Sequence, residues 1–215
     1  SAAKTVTYVV TPPAGSTDAA SFSGAIGDIV IAGNNSLTAP SPVGIFDHHL
    51  DVGAVGAAGY AEYDSTKKMY SVGGSGADIW DSADEFQFVY KKLSGAFEIQ
   101  ATLFAFNDTS TNEWSKAGLM VRDNLSAGSP HLMGIIRGSD GQSDSQWRTN
   151  QDGGSSDTGL KALSSGQVKL VRSGKKVDAY YLDDNNNWVL DTSQNISLAD
   201  PVYVGLNVVS HDDGL

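Results

Sequence analysis

The stretch "DEFQFVYKKLSGAFEIQATL", residues 84–103, contains two alternating segments joined by a serine and a glycine. Aromatic residues occupy every second position of the first segment, at Phe86, Phe88 and Tyr90. The second segment alternates in the same way from Phe97 onward. Because successive side chains of a strand point to opposite faces, this period predicts two half-buried strands separated by a turn.

The alternation also assigns a face to each side chain. We expect the aromatic residues of the first segment to point into a core, with Glu85 and Gln87 on the opposite face. The same rule applied to later segments places Arg122, Gln146 and Arg148 on the polar side of their strands. The sequence thus predicts one mixed polar and aromatic sheet face, suited to sugar binding or to cross-strand ion pairs facing water.

The whole chain is typical of an all-β protein. It has 215 residues, of which 40% are hydrophobic, and it contains 24 glycines. Turn clusters such as "RGSDGQSD" and "DDNNN" separate many short strand-like segments, and no amphipathic helix pattern is visible. This arrangement predicts a β-sandwich or barrel.

Charge and cysteine content exclude several functional classes. The net charge is −11, from 14 basic and 25 acidic residues, and no basic patch suggests a nucleic-acid partner. No apolar run approaches the roughly 20 residues needed for membrane insertion. The absence of cysteine excludes disulfides, thiolate nucleophiles and cysteine-ligated zinc. Acidic, Asp- and Asn-rich turns favour a secreted or cell-surface protein in a calcium-rich setting.

The N-terminal part differs from the rest. Residues 1–42 are expected to form an extension with one or two strands, at 5–10 and 28–32, before the proline-rich "APSPVG". The main domain is expected to span residues 43–215.

Several motifs occur in an order that resembles a known family. They are "GGSGADIWDSADEFQFVY", "WSKAGLMVRDN", "KLVRSGKKVDAYYLDDNNNW" and "VGLNVVSH", spread over residues 51–211. Together they resemble the bacterial concanavalin A-like domains labelled regulation-of-enolase-type or laminin-G-like. The resemblance implies a two-sheet antiparallel jelly-roll sandwich, placed beside catalytic or adhesive modules in large secreted bacterial proteins, with a glycan as its ligand.

The chain departs from this family at its end. Related domains continue past the Ser-His turn into one more strand, so the domain is expected to lack its usual final strand. An open sheet edge and an incomplete core would result. We expect segment 5–10 or 28–32 to take that place, or the missing strand to lie beyond an insertion in the full-length protein.

Catalytic signals are weak. The Glu-x-Asp-x-x-Glu strand of concanavalin A-like laminarinases and lichenases is absent, and so is a Gly-x-Ser-x-Gly nucleophile elbow. Glu85 and Glu98 are predicted to be cross-strand neighbours, neutralised by Lys116 and Arg122. A non-catalytic protein is therefore expected, with a glycoside hydrolase that uses an unrecognised carboxylate pair as the alternative.

Two sets of oxygen ligands suggest calcium as a cofactor. The "DDNNN" turn, whose first interpretation is a simple hairpin turn, also offers hard ligands: Asp183, Asp184, Asn185 and Asn187. The family resemblance suggests a second set at the rim of the sandwich: Asp47, Asp212 and Asp213.

Sugar recognition needs an aromatic platform and planar polar side chains. Trp114 lies in a polar stretch and is the predicted platform, whereas Trp80 is expected to plug one end of the sandwich. The predicted hydrogen-bonding partners of the sugar are Gln87, Arg122, Gln146 and Arg148.

The sequence as a whole predicts a carbohydrate-binding or adhesive module, whose partners are a glycan or polysaccharide and neighbouring domains of the same polypeptide. A structural spacer of a calcium-dependent adhesin is the first alternative, ahead of the glycoside hydrolase.

Overall fold

The computed structural model describes residues 42–106, 112–163 and 165–214, together with four two-residue strands between positions 20 and 37. The chain divides into two units, residues 1–41 and 42–215. In the first unit, β1 (Ala20–Ser21) pairs with β4 (Ser36–Leu37), and β2 (Ala25–Ile26) pairs with β3 (Ile29–Val30). The strand predicted at 28–32 overlaps β3, whose partner is β2, and the strand predicted at 5–10 lies outside the described residues.

The second unit contains the remaining strands. In chain order they are β5 (His48–Val52), β6 (Tyr60–Asp64), β7 (Met69–Gly73), β8 (Ile79–Trp80), β9 (Ala83–Asp84), β10 (Phe86–Leu93), β11 (Phe97–Thr102), β12 (Lys116–Arg122), β13 (His131–Arg137), β14 (Ser143–Arg148), β15 (Ser156–Asp157), β16 (Gln167–Ser173), β17 (Lys176–Leu182), β18 (Trp188–Asn195) and β19 (Val202–Val209).

These strands form a two-sheet antiparallel sandwich. One sheet has seven strands in the order β15-β14-β13-β12-β19-β10-β5, and the other has four in the order β11-β16-β17-β18. The chain crosses between the sheets repeatedly, and β19 inserts between β10 and β12, as in a jelly roll. The predicted all-β jelly-roll class is confirmed. Within the described ranges, no helix is long and apolar enough to cross a membrane.

The main core lies between the two sheets. Val89, Leu206 and Leu119 are cross-strand neighbours and therefore share one face of the seven-stranded sheet. Val168 and Leu170 on β16 are buried in the same cluster as Leu119. Full burial of each such side chain stabilises the fold by about 1.5–3 kcal/mol.

The β6–β7 hairpin extends the second layer of the sandwich. The four-stranded sheet contacts β12 and β13, whereas the hairpin contacts β5, β10 and β19. Tyr63 and Tyr70 of the hairpin pack against the buried side chains of Val43, Phe46 and Val89. The hairpin therefore covers apolar surface beside the shorter sheet, where the sequence predicted an incomplete core.

The opposite face of the seven-stranded sheet is also buried, which corrects the predicted assignment of faces. Phe88, Asn207 and Gly118 lie opposite one another on three neighbouring strands and therefore share a face. Leu119 follows Gly118 in β12, so its side chain points to the other face. The aromatic residues of β10 therefore share a face with Arg122 and not with Leu119. The short strand β8 supplies Ile79 to this second core, and the loop after β12 supplies Leu125. Because both faces are buried, the apolar period alone could not tell them apart.

Candidate functional site

The β8–β9 hairpin closes part of the second face of the seven-stranded sheet. Its first residue, Ile79, is fully buried in the second core. The turn residue Asp81 has a φ of 45°, in the left-handed region that an aspartate tolerates better than most residues. The hairpin ends at Asp84, which carries the carboxylate beneath this covering layer.

Asp84 is held between two buried guanidinium groups. Arg148 donates to Asp84 through two nitrogens, at 2.7 and 3.1 Å, and Nη2 of Arg122 lies 3.3 Å from Asp84 Oδ2. All three side chains are fully buried. The remaining donors of Arg148 bind main-chain carbonyl groups of three loops, those of Trp80, Asp81, Ala127, Ser129 and Gly153. Arg148 therefore ties the covering loops to β14.

The surroundings of this cluster shift two protonation equilibria. Burial lowers the pKa of Arg122 to about 10, against the opposing effect of Asp84. Burial also lowers the pKa of His131 to about 4, and the two neighbouring guanidinium groups add to this shift. His131 Nδ1 lies 3.2 Å from the Ser129 carbonyl oxygen, and Nε2 has no hydrogen-bond partner among the described residues. His131 is therefore neutral at pH 7.

The structure does not bring the predicted sugar-binding residues to one surface. Arg122 and Arg148 are buried, and the donors of Arg148 are occupied as described above. Arg122 contacts Asp84 and also donates to the main-chain carbonyl oxygens of Asn124 and Ser126. Gln146 is buried between Lys116 and Asp144. Gln87 lies on the other face of the sheet, in the row of Ala117, where its amide meets His49 Nδ1 at 3.1 Å.

Trp114 is the one predicted sugar contact at the surface. Its residue is 37% exposed, and the Arg137 guanidinium lies 4.9 Å from the ring centroid. Asp140 accepts hydrogen bonds from Arg137 and from the side chain of Gln142. Trp114 therefore forms a shallow platform beside an arginine that already has a partner.

A cavity of about 520 Å³ opens beside the β8–β9 hairpin. Its lining residues are one tryptophan, four acidic residues and otherwise only alanine and glycine, with the larger ones being Asp78, Trp80, Asp81, Asp84 and Glu85. The Asp84 side chain is itself fully buried. Gly53 is part of the wall, with a φ of 78°, and a Cβ there would lie 2.3 Å from the Asp84 carbonyl oxygen. Only glycine allows these two segments to approach so closely.

The carboxylates of this cavity differ in their partners. Asp78 is 2.6 Å from Lys116 Nζ and 3.1 Å from His211 Nε2, and Asp84 binds the two arginines. Glu85 accepts one hydrogen bond, from the Ala77 amide at 3.2 Å. The carboxylate of Asp81 has no partner among the described residues. Asp81 and Glu85 therefore offer acceptors to a ligand.

The sequence contained a local signal for this cavity, in "GGSGADIWDSADEF". The expectation that Trp80 plugs one end of the sandwich differs from the structure, in which it is half-buried and lines the cavity. Asp81 and Glu85 were not predicted as ligand-binding residues.

The predicted carboxylate pair does not form. Glu85 lies beside the cavity, whereas Glu98 is on β11 in the other sheet, opposite Val171. The expected neutralising partners also differ, since Lys116 pairs with Asp78, and Lys169 lies 3.9 Å from Glu98. Glu85 and Glu98 were assumed to lie on paired strands, but the chain changes sheets between β10 and β11.

The first predicted calcium set forms the tight turn between β17 and β18. Asp183 Oδ1 accepts hydrogen bonds from the backbone amides of Asn185 and Asn187, at 2.9 and 2.7 Å. Asn186 has a φ of 62°, which completes the turn. One oxygen of Asp183 is thus already used to hold the backbone.

The second predicted calcium set is not brought together. The Asp47 amide donates a hydrogen bond to the Tyr90 carbonyl oxygen, and Tyr90 lies opposite Gly205 in the middle of β19. Asp212 and Asp213 follow the end of β19 at Val209. The distance along β19 from that row to its end is about 13 Å, at about 3.3 Å per residue. Across the described ranges, no group of three or more His, Cys, Asp or Glu side chains is placed to hold a metal ion.

Comparisons with known proteins show similarity at the level of solved structures. No protein-family model matches the chain, and no curated protein matches it in sequence. One similar structure is a functionally unknown protein from Saccharomyces cerevisiae, with 15% identity, a TM-score of 0.49, and coverage of 75% of this chain and 83% of that one.

Two further structures are similar at lower scores. A mutant of the GH43 protein BlXynB from Bacillus licheniformis has 14% identity and a TM-score of 0.42, and the match covers 65% of this chain and 29% of that one. Basic winged bean lectin with Tn-antigen has 9% identity and a TM-score of 0.37, with coverage of 75% and 86%. At these values the similarities support no functional assignment, and the concanavalin A-like family stays a resemblance.

Proposed function

We propose that the chain is a non-catalytic carbohydrate-binding module that holds a sugar in the cavity beside Trp80. The observation that carries this proposal is the convergence of an indole and unpaired carboxylate oxygens on one cavity of about 520 Å³. Ligand pockets typically measure about 300–1,000 Å³ and combine apolar walls with a few polar groups. The indole offers an apolar surface to the C–H face of a sugar, and Asp81 and Glu85 offer acceptors for its hydroxyl groups.

The proposal includes a setting and partners. We place the module in a secreted or cell-surface protein, with neighbouring domains of the same polypeptide that supply catalysis or further adhesion. The sheet residues Arg122 and Arg148 hold the covering loops in this proposal and do not touch the sugar.

Trp80→Ala is expected to weaken glycan binding by about tenfold or more, because it removes the stacking surface. The backbone carbonyl of Trp80, which accepts from Arg148, stays in place in this variant. A glycan array identifies the ligand, and calorimetry then compares Trp80→Ala with Trp114→Ala, the matched variant outside the cavity.

The outcomes separate three functions. Loss of glycan binding in Trp80→Ala, with full binding in Trp114→Ala, supports the cavity as the binding site. The reverse pattern would place the sugar on the Trp114 platform. An array without any hit contradicts carbohydrate binding and leaves a structural spacer.

Incubation with a polysaccharide panel is expected to release no new reducing ends. Release that Glu85→Gln abolishes would instead assign a glycoside hydrolase.

Calcium is part of the proposal as a stiffener of the Asp183 turn, without a role in chemistry. A ligand that binds only the folded state raises the thermal midpoint. We therefore expect a higher midpoint in calcium chloride than in EDTA, and no such difference in Asp183→Ser. If the unmodified chain has the same thermal midpoint in calcium chloride and in EDTA, calcium is removed from the proposal.

A further inference from the structure

The lining of the cavity beside Trp80 has a one-sided charge. The lining residues that the structure describes include four carboxylates and no lysine, arginine or histidine. A uronic acid or a sulfated sugar would therefore bring its charge toward like charges, with no free cationic donor to receive it.

Two of these acidic residues pair with buried cations on the protein side of the cavity wall. Asp84 binds Arg122 and Arg148, and Asp78 binds Lys116. These three cations are at most 2% exposed, so they lie behind the cavity wall and do not reach a ligand. The four acidic lining residues and these three cations together carry a net charge of −1, and the charged side chains that a ligand can contact are Asp81 and Glu85.

The indole adds a second attraction for a positive group. An ammonium placed over an indole face is attracted by the ring quadrupole, most strongly when it is partly desolvated. Trp80 lies next to Asp81 in the hairpin, and both line the same cavity. A primary ammonium in this cavity would meet the ring and also form charge-assisted hydrogen bonds to the carboxylates.

We infer that the cavity selects sugars with a free amino group, that is, deacetylated hexosamines, over their N-acetylated and anionic counterparts. This inference rests on the proposed function, because it names the sugar class for the same site. Acetylation removes the positive charge and so removes both attractions.

Tetrasaccharides that share one β-1,4-linked backbone test the selectivity. The three tetrasaccharides are built from glucosamine with a free amino group, from N-acetylglucosamine and from glucose. Their binding is compared by calorimetry in slightly acidic buffer, where the amine is protonated. We expect the glucosamine oligomer to bind at least about tenfold more tightly than the other two. The difference should shrink in high salt, because salt screens a partly exposed ion pair.

Charge-matched variants locate the effect. Asp81→Asn and Glu85→Gln are expected to reduce the preference for the glucosamine oligomer over the glucose oligomer to below about threefold, because each removes one negative charge from the cavity. Glu98→Gln removes the same charge from an exposed residue on the other sheet and is expected to keep the full preference.

The two proposals fail in different ways. Equal binding of all three oligomers, or a preference lost equally in Glu98→Gln, overturns amine selection and leaves carbohydrate binding intact. The absence of binding by every oligomer and every array glycan overturns both.

Discussion

Asp84→Asn is expected to lower the free energy of unfolding by about 3–5 kcal/mol, the usual cost of removing one partner from a buried ion pair. The substitution keeps the size of the side chain but removes the single negative charge between Arg122 and Arg148. Two fully buried guanidinium groups then face each other without compensation. Urea denaturation followed by far-UV circular dichroism measures the change.

An exposed aspartate provides the matched control. Asp64 pairs with Lys67 at 3.4 Å, with side-chain exposures of 43% and 72%, and surface pairs of this kind add little stability. Asp64→Asn is expected to unfold at the same urea concentration as the unmodified chain. Equal midpoints for Asp84→Asn and Asp64→Asn would show that Asp84 is hydrated and that the covering loops do not seal the sheet.

A second large effect is expected from acid. His131 titrates near pH 4 in the folded state and near its ordinary pKa of 6.5 in the unfolded chain. The unfolded state therefore binds more protons between these values, so stability falls as the pH falls from about 6.5 to about 4. The His131 contribution to this loss is about 3 kcal/mol, at 1.36 kcal/mol per pKa unit.

A non-titrating variant isolates the histidine. The groups that face His131 are Asp84, Arg122 and Arg148, and they remain in His131→Gln. The free energy of unfolding of both proteins is measured in urea at pH 7 and at pH 4. All titratable groups other than His131 are the same in the two proteins, so their effect on stability cancels in the comparison. We expect the unmodified chain to lose about 3 kcal/mol more than the variant, at 1.36 kcal/mol per pKa unit. Equal losses would mean that His131 is accessible to water in the folded state.

The strands were readable from the sequence because their signal is local. Alternation in "DEFQFVYKKLSGAFEIQATL" predicted β10 and β11, and the glycine-rich turns predicted the sandwich. The assignment of faces was not readable. Alternation shows that Phe86 and Gln87 point in opposite directions, but it does not show that both directions are buried, at 0% and 1% exposure.

The candidate site was only partly predictable for the same reason. Trp80 and Asp81 are adjacent in one glycine-bounded segment, so their combination was visible. The pairing of Asp84 with Arg148 joins residues 64 positions apart, and no local spacing indicates it. Without that pairing, Arg148 looked like an exposed donor for a sugar.

The closure of the second sheet face is tested most directly by thiol accessibility. The chain has no cysteine, so a single introduced cysteine reports on one position. Met120 is fully buried under the covering loops, whereas Met69 is 38% exposed on the β6–β7 hairpin. We predict that a thiol reagent labels Met69→Cys at once in native buffer and labels Met120→Cys only in denaturant. Equal rates for the two variants in native buffer would contradict the closed face, and with it the placement of the ligand in the Trp80 cavity.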